Sequence, residues 1–309
     1  MVPKLQKNNP PLHYDSMNPQ PVQNVLWQLK SRQADVVCFK DERGVFVEKT
    51  VAPTVDLGGK VFDVNALSME FRQKLQRLGV PLAEPYTYSE RDGRALQISP
   101  FIGPDLEKLI NEGGFTPKLL DQLLSAMQGV LAQDPCEVGI DARLSNFCLG
   151  PQGVVYVDTF PPMLLHEEKY IVHFPNPTDP NIVQQEIFRK FKALGIMRRL
   201  RFSILEQDAG ISDEMLLTAV KGVMGESFAT TVHDYFMTLP DRQDLGTALG
   251  KLSLADPDGI RELALKRMPP KGPERIEFLR MVFDLSSNFC ALQLSPEERL
   301  RQIQEMLLR

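Results

Sequence analysis

Gly139-Ile140-Asp141-Ala142-Arg143-Leu144-Ser145-Asn146-Phe147-Cys148-Leu149 runs into the turn Gly150-Pro151-Gln152-Gly153 and then into Val154-Val155-Tyr156-Val157-Asp158-Thr159-Phe160. An Asp and an Asn stand five apart in a loop, and a strand, a turn and a second strand lead to another Asp. Apolar runs on either side of a Gly-containing turn predict a hairpin. Its two arms would bring the three polar residues together. Phosphoryl transfer needs a group that orients the acceptor hydroxyl and oxygen ligands that hold Mg²⁺ on the phosphates. Asp141 has the chemistry of the first. Asn146 and Asp158 are hard oxygen donors of the kind Mg²⁺ takes. Taken alone, Asp141 and Asn146 are also common loop-capping residues. The hairpin and Asp158 turn the reading toward a site.

Working upstream, the texture is strand-like from about 24 to 100. Val25 to Leu29 reads as a strand or a short helix. Ala34 to Lys40 and Val45 to Val51 flank the polar turn Asp41-Glu42-Arg43-Gly44, a hairpin signal. Between 64 and 78 the period changes: Leu67, Phe71, Leu75 and Leu78 recur at helical spacing, and Gly79 and Pro81 end the helix. Tyr86 to Tyr88 and Arg94 to Ser99 surround Arg91-Asp92-Gly93, a second hairpin. Downstream the chain is helical. Thr116-Pro117 and Asp179-Pro180 are helix starts, and Ser295-Pro296-Glu297-Glu298 is a capping box ahead of Leu300, Ile303 and Leu307.

These residues, in this order, resemble the kinase-like phosphotransferases, nearest to the aminoglycoside phosphotransferase and choline kinase type. In that family the loop reads H-G-D-x-x-x-x-N, with an Asp about a dozen residues on. The resemblance implies that Asp141 is the catalytic Asp and that Asn146 and Asp158 bind Mg²⁺. Val47-Glu48-Lys49 ends a strand where the family places its phosphate-pairing Lys, and Glu70 lies where the family has the Glu that pairs with that Lys. Leu78-Gly79-Val80-Pro81-Leu82 is similar to the family's link after that helix. Leu96 to Phe101 is similar to the hinge strand that bonds adenine through its backbone, which implicates Ile98, Ser99 and Phe101. Gly103-Pro104-Asp105-Leu106 resembles the segment that follows it. The implied fold is α+β and bilobal: an irregular arm over 1–19, a small antiparallel-sheet lobe with one helix over 20–98, and a larger helical lobe over 99–309 carrying the catalytic hairpin. The implied ligands are ATP and Mg²⁺ in the cleft, with a hydroxyl-bearing small molecule as acceptor.

The sequence departs from the family at two places. Gly139 and Ile140 stand where the family has His-Gly, and the phosphate-covering turn Lys30-Ser31-Arg32-Gln33 has no Gly, so Ser31 and its neighbours would have to meet phosphate with side chains. Two alternatives follow: a pseudokinase-like nucleotide-binding or regulatory module, and a kinase acting on a peptide or protein. Arg143, inside the loop, suits a phosphate contact or a salt bridge equally. Arg198-Arg199-Leu200-Arg201 reads as the solvated end of a helix, with an anionic substrate as the sharper alternative.

Composition narrows the rest. The 309 residues are 43% hydrophobic and 24% charged, which excludes disorder and coiled coil as the main architecture and allows two lobes. A net charge of -5 argues against a generic nucleic-acid binder. The four Cys, at 38, 136, 148 and 290, have no metal or redox spacing, and read as buried thiols in a cytoplasmic protein. His166-Glu167-Glu168-Lys169-Tyr170 lacks the second His of a zinc-protease helix. No P-loop or dinucleotide fingerprint occurs. No apolar run reaches bilayer length, and the N-terminus lacks the apolar core of a signal peptide, so no membrane partner is expected. The acceptor's identity and the oligomeric state leave no motif.

Overall fold

In the computed structural model the described residues are 25–30, 34–57, 59–84, 86–172, 180–207 and 210–238. The two hairpins merge into one sheet. β1 (Val25–Lys30) pairs with β2 (Asp35–Asp41), and β2 with β3 (Gly44–Val51), all antiparallel. The Asp41 carboxylate accepts from the Arg43 N–H at 2.8 Å and closes the turn. A small hairpin of β4 (Thr54–Asp56) and β5 (Val61–Asp63), which the pattern reading did not contain, leads into α1 (Val64–Arg77). Asp63 caps α1 by accepting from Ala66 N–H, and Gly79 leaves the helix with φ +75°, the left-handed region that favours Gly. β6 (Thr87–Arg91) and β7 (Arg94–Pro100) then complete the sheet in the order β1-β2-β3-β7-β6.

The rest is mainly helical. α2 (Leu106–Asn111) is capped by Asp105, and α3 (Pro117–Leu131) by Thr116 with Pro at its first position. β8 (Phe147–Gly150) and β9 (Gly153–Tyr156) form the expected hairpin, and β10 (Leu164–His166) and β11 (Lys169–Ile171) a second one. α4 (Pro180–Phe191), α5 (Ala193–Gln207), α6 (Asp213–Met224) and α7 (Glu226–Thr238) follow. The architecture is therefore α+β: a five-stranded antiparallel sheet with one helix, then a larger helical part holding a hairpin. Ser31 and the helix expected after Ser295 lie outside the described residues.

One apolar core runs through both parts. Leu67, Phe71 and Leu75 of α1 are buried with Leu120, Leu123, Leu124 and Met127 of α3 and with Phe147 and Tyr156 of the hairpin. At roughly 25 cal/mol per Å² of apolar surface removed from water, each such side chain contributes on the order of 2 kcal/mol. Gly129 marks a close approach: a Cβ there would lie 1.9 Å from the Leu78 carbonyl oxygen, so the end of α1 rests on α3 only because that position has no side chain. The Tyr156 N–H also donates to Pro81 O at 2.8 Å, joining the link after α1 to the β8–β9 hairpin. Among the described residues no helix is long and apolar enough to cross a membrane.

Candidate active site

The catalytic-loop candidate is held by its backbone. Gly139 N–H donates to Met163 O at 2.8 Å and Ile140 N–H to Lys190 O at 2.9 Å. Asp141 N–H donates to the Tyr156 hydroxyl at 3.4 Å, and Leu144 N–H to the Ser203 hydroxyl at 2.9 Å. These bonds fix the loop through its backbone. A Cβ on Gly139 would come within 2.8 Å of the Phe191 ring, so the position is closed to a larger residue unless that ring shifts. Tyr156 is fully buried. Burial, with Asp158 and Asp141 nearby, pushes its phenol well above the ordinary range, so it stays neutral and serves as a fixed acceptor.

Asn146 follows in a 3-10 turn, Leu144–Asn146. Its side-chain amide donates to Asp141 O at 3.0 Å, which leaves Oδ1 as a free oxygen donor. Val157 N–H donates to Asn146 O at 3.0 Å, and Phe147 pairs with Tyr156. Asn146 and Asp158 therefore stand at the open end of one hairpin. Lys49 reaches this end from β3: its Nζ donates to Asp158 Oδ1 at 3.0 Å and to Val157 O at 3.4 Å. The two side chains are 16% and 29% exposed, so the pair is sheltered yet open on one side. Behind it, the buried Gln97 amide donates to the buried Thr159 hydroxyl at 2.9 Å. Lys49 and Gln97 are cross-strand neighbours, so the sheet and the residues around Asp158 meet through two adjacent contacts.

Asp141 has its own cationic neighbours. Arg199 Nε of α5 donates to Oδ1 at 3.2 Å, and Arg143 Nε lies 3.8 Å from Oδ2. The four-residue run that contains Arg199 is not a solvated helix end. Arg198 and Arg201 are 8% and 3% exposed, and the whole run lies inside α5. Arg201 spends its charge on Asp213, at 2.6 Å. Pattern alone does not separate Arg199 from its neighbours; its distinction is the face of α5 it occupies.

Glu70 does not pair with Lys49. Its carboxylate is bonded to His166 Nδ1 at 2.7 Å and to Lys74 at 3.0 Å, one helical turn on. Lys74 Nζ also donates to Leu165 O at 3.1 Å, so α1 is tied to the β10–β11 hairpin and not to β3. Nothing local to His166 signals this role, because its partner lies 96 residues away. The residues expected to meet adenine stand largely within the sheet. Ile98 faces Glu48 and Thr87, Ser99 faces Val47, and Phe101 N–H donates to Val45 O at 2.9 Å. The Ile102-Gly103 peptides are the first beyond the ladder. Cys148, next on β8, is buried, and burial, with Asp105 adding to it, pushes its thiol up to about 12. Cys38 and Cys136 are likewise free and buried. Among the described residues no group of three His, Cys, Asp or Glu forms a metal site. The Asn146 and Asp158 oxygens fit a Mg²⁺ ion that would also take ligands from phosphate and water.

No family model matches the chain, and no curated protein matches it. Among solved structures, the kinase domain of PknI from Mycobacterium tuberculosis is similar over 59% of this chain and 72% of that one, with 12% identity and a TM-score of 0.32.

Proposed function

We propose that the protein is an ATP- and Mg²⁺-dependent phosphotransferase that acts on a hydroxyl of a small molecule. One observation carries this reading: Lys49, from the sheet, meets Asp158 at the mouth of the hairpin whose other arm begins at Asn146, five residues after Asp141. In this reading Lys49 holds nucleotide phosphate oxygens, and Asn146 and Asp158 hold Mg²⁺. When bound, the ion neutralises charge on the β- and γ-phosphates. Asp141 orients the acceptor hydroxyl. The hydroxyl oxygen forms a bond to the γ-phosphorus, the bond to the β–γ bridging oxygen breaks, ADP leaves, and the hydroxyl proton passes to Asp141. Adenine would meet the strand end from Ile98 to Phe101 and the peptides just past it. The test is thermal stabilisation of the purified protein by ATP with Mg²⁺, followed by slow ATP hydrolysis. No stabilisation at millimolar nucleotide would remove the reading.

A nucleotide-binding regulatory module is the second reading, favoured by the engagement of Asp141 with Arg199 and of Glu70 with His166. It requires that Asp141→Asn leave the cellular role intact. Loss of that role in Asp141→Asn with nucleotide binding retained decides for the enzyme.

A further inference from the structure

Two guanidinium groups face one carboxylate at the centre of the loop. Arg199 is nine-tenths buried and holds Asp141 Oδ1 at 3.2 Å. Arg143 approaches Oδ2 at 3.8 Å, too long for a hydrogen bond, and its buried Nε has no hydrogen-bond partner. Its side chain is 40% exposed, so the remaining N–H groups open outward. Asp158, the other carboxylate of the site, is paired with Lys49. Asp141 is thus placed poorly for work on a hydroxyl, with a cation on each oxygen, while the arginines carry more positive charge than it balances. An unpaired buried donor is costly, and a planar guanidinium answers best to a carboxylate or phosphate with two oxygens to offer.

We infer that Arg143 and Arg199 form an acceptor site for an anionic oxyacid group, so that the substrate carries a phosphate or carboxylate beside the hydroxyl that reacts. This rests on the phosphotransferase reading and gives it a substrate class. The substrate's anion takes the outward-facing Arg143 N–H groups and shares the Arg199 guanidinium, and Asp141 is released toward the neighbouring hydroxyl. A neutral alcohol does neither. The arrangement also discriminates: a cationic acceptor of the amino-alcohol kind would meet two like charges at the mouth of the site.

Inorganic phosphate is the probe, titrated against the full chain by calorimetry with and without saturating AMP-PNP and Mg²⁺. The account expects phosphate to bind in the presence of the nucleotide analogue. Binding weakens by about tenfold or more in Arg199→Gln and in Arg143→Gln, each of which loses a charge-assisted contact. It tightens several-fold in Asp141→Asn, because the competing carboxylate is gone. Arg143→Gln, at the more exposed side chain, serves if Arg199→Gln does not fold. Acetate run in parallel tells a hydroxy-acid acceptor from a phosphorylated alcohol. Absence of phosphate binding in the wild type, binding as tight as wild type in both arginine variants, or weaker binding in Asp141→Asn overturns the inference. The nucleotide titration separates the two claims. Phosphate binding that depends on the arginines without any AMP-PNP binding would sink the phosphotransferase reading and leave the anion site. The opposite result would do the reverse.

Discussion

Lys49 Nζ and Asp158 Oδ1 lie 3.0 Å apart, and this bond joins β3 of the sheet to the residue two past β9. Both side chains are less than one third exposed, so screening by water is incomplete and removing one partner leaves the other with a desolvated charge. Lys49→Met should lower stability by about 1.5–3 kcal/mol, the range for a hydrogen bond to a charged group. Urea denaturation of Lys49→Met, Asp158→Asn and the double variant checks it. The two single losses should fail to add, because they delete the same contact.

Glu70 belongs to α1 and the β10–β11 hairpin, not to Lys49. Glu70→Gln should therefore weaken the tie to His166 and Lys74, at a cost of about 1 kcal/mol. It should leave nucleotide affinity within about twofold, a difference under 0.5 kcal/mol. Titration of AMP-PNP with Mg²⁺ into wild type and variant is the check. A large loss of affinity would mean that Glu70 reaches Lys49 when nucleotide is bound.

Gly129 and Leu78 touch with no room for a methyl group. Gly129→Ala should destabilise by about 1–3 kcal/mol through overpacking, although alanine is the better helix former. A thermal melt that moved upward would show that α1 and α3 are not packed as described.

Acid should loosen the support of the loop that carries Asp141. Burial raises the Glu186 carboxyl, but the Lys190 and Arg189 charges outweigh it and hold the group below its ordinary value near 4.5. A carboxylate depressed in the folded state binds fewer protons there than in the unfolded chain. Its stabilisation is therefore complete above about pH 4.5 and is lost as pH falls through the folded value. Lys190 carries both the Glu186 pair and the carbonyl that accepts from Ile140. The stability gap between wild type and Glu186→Gln, measured by urea midpoint, should be present at pH 7 and should shrink as the pH is taken below the ordinary value near 4.5.

Much of the architecture was legible in local chemistry. The turns at Asp41–Gly44 and Arg91–Gly93, the α1 period and the Thr116-Pro117 start are each written in a few consecutive residues, and β2, β3, α1, β6, β7 and α3 appear there. The β4–β5 hairpin was not, because three-residue strands carry too little periodicity to register. In the site, the Asp141, Asn146 and Asp158 spacing is local, and the hairpin register places the last two at one end. The partners of those residues are not local. Arg199 reaches Asp141 across 58 residues, Ser203 reaches Leu144 across 59, and His166 captures Glu70 across 96. Each depends on which face a helix or hairpin turns inward, and that is settled by packing. The arginine run was misread for the same reason: charge suggests solvent, whereas α5 buries Arg198 and Arg201.

The central claim is a Mg²⁺-nucleotide site framed by Lys49, Asn146 and Asp158. Calorimetric titration of AMP-PNP into the full chain, with and without Mg²⁺ and repeated in Asp158→Asn, addresses it directly. The account predicts binding that strengthens with Mg²⁺ and falls by about tenfold or more in Asp158→Asn, as expected when a charged ligand to the ion is removed. Binding that is absent at millimolar nucleotide, or that is indifferent to Mg²⁺ and to Asp158→Asn, would contradict it.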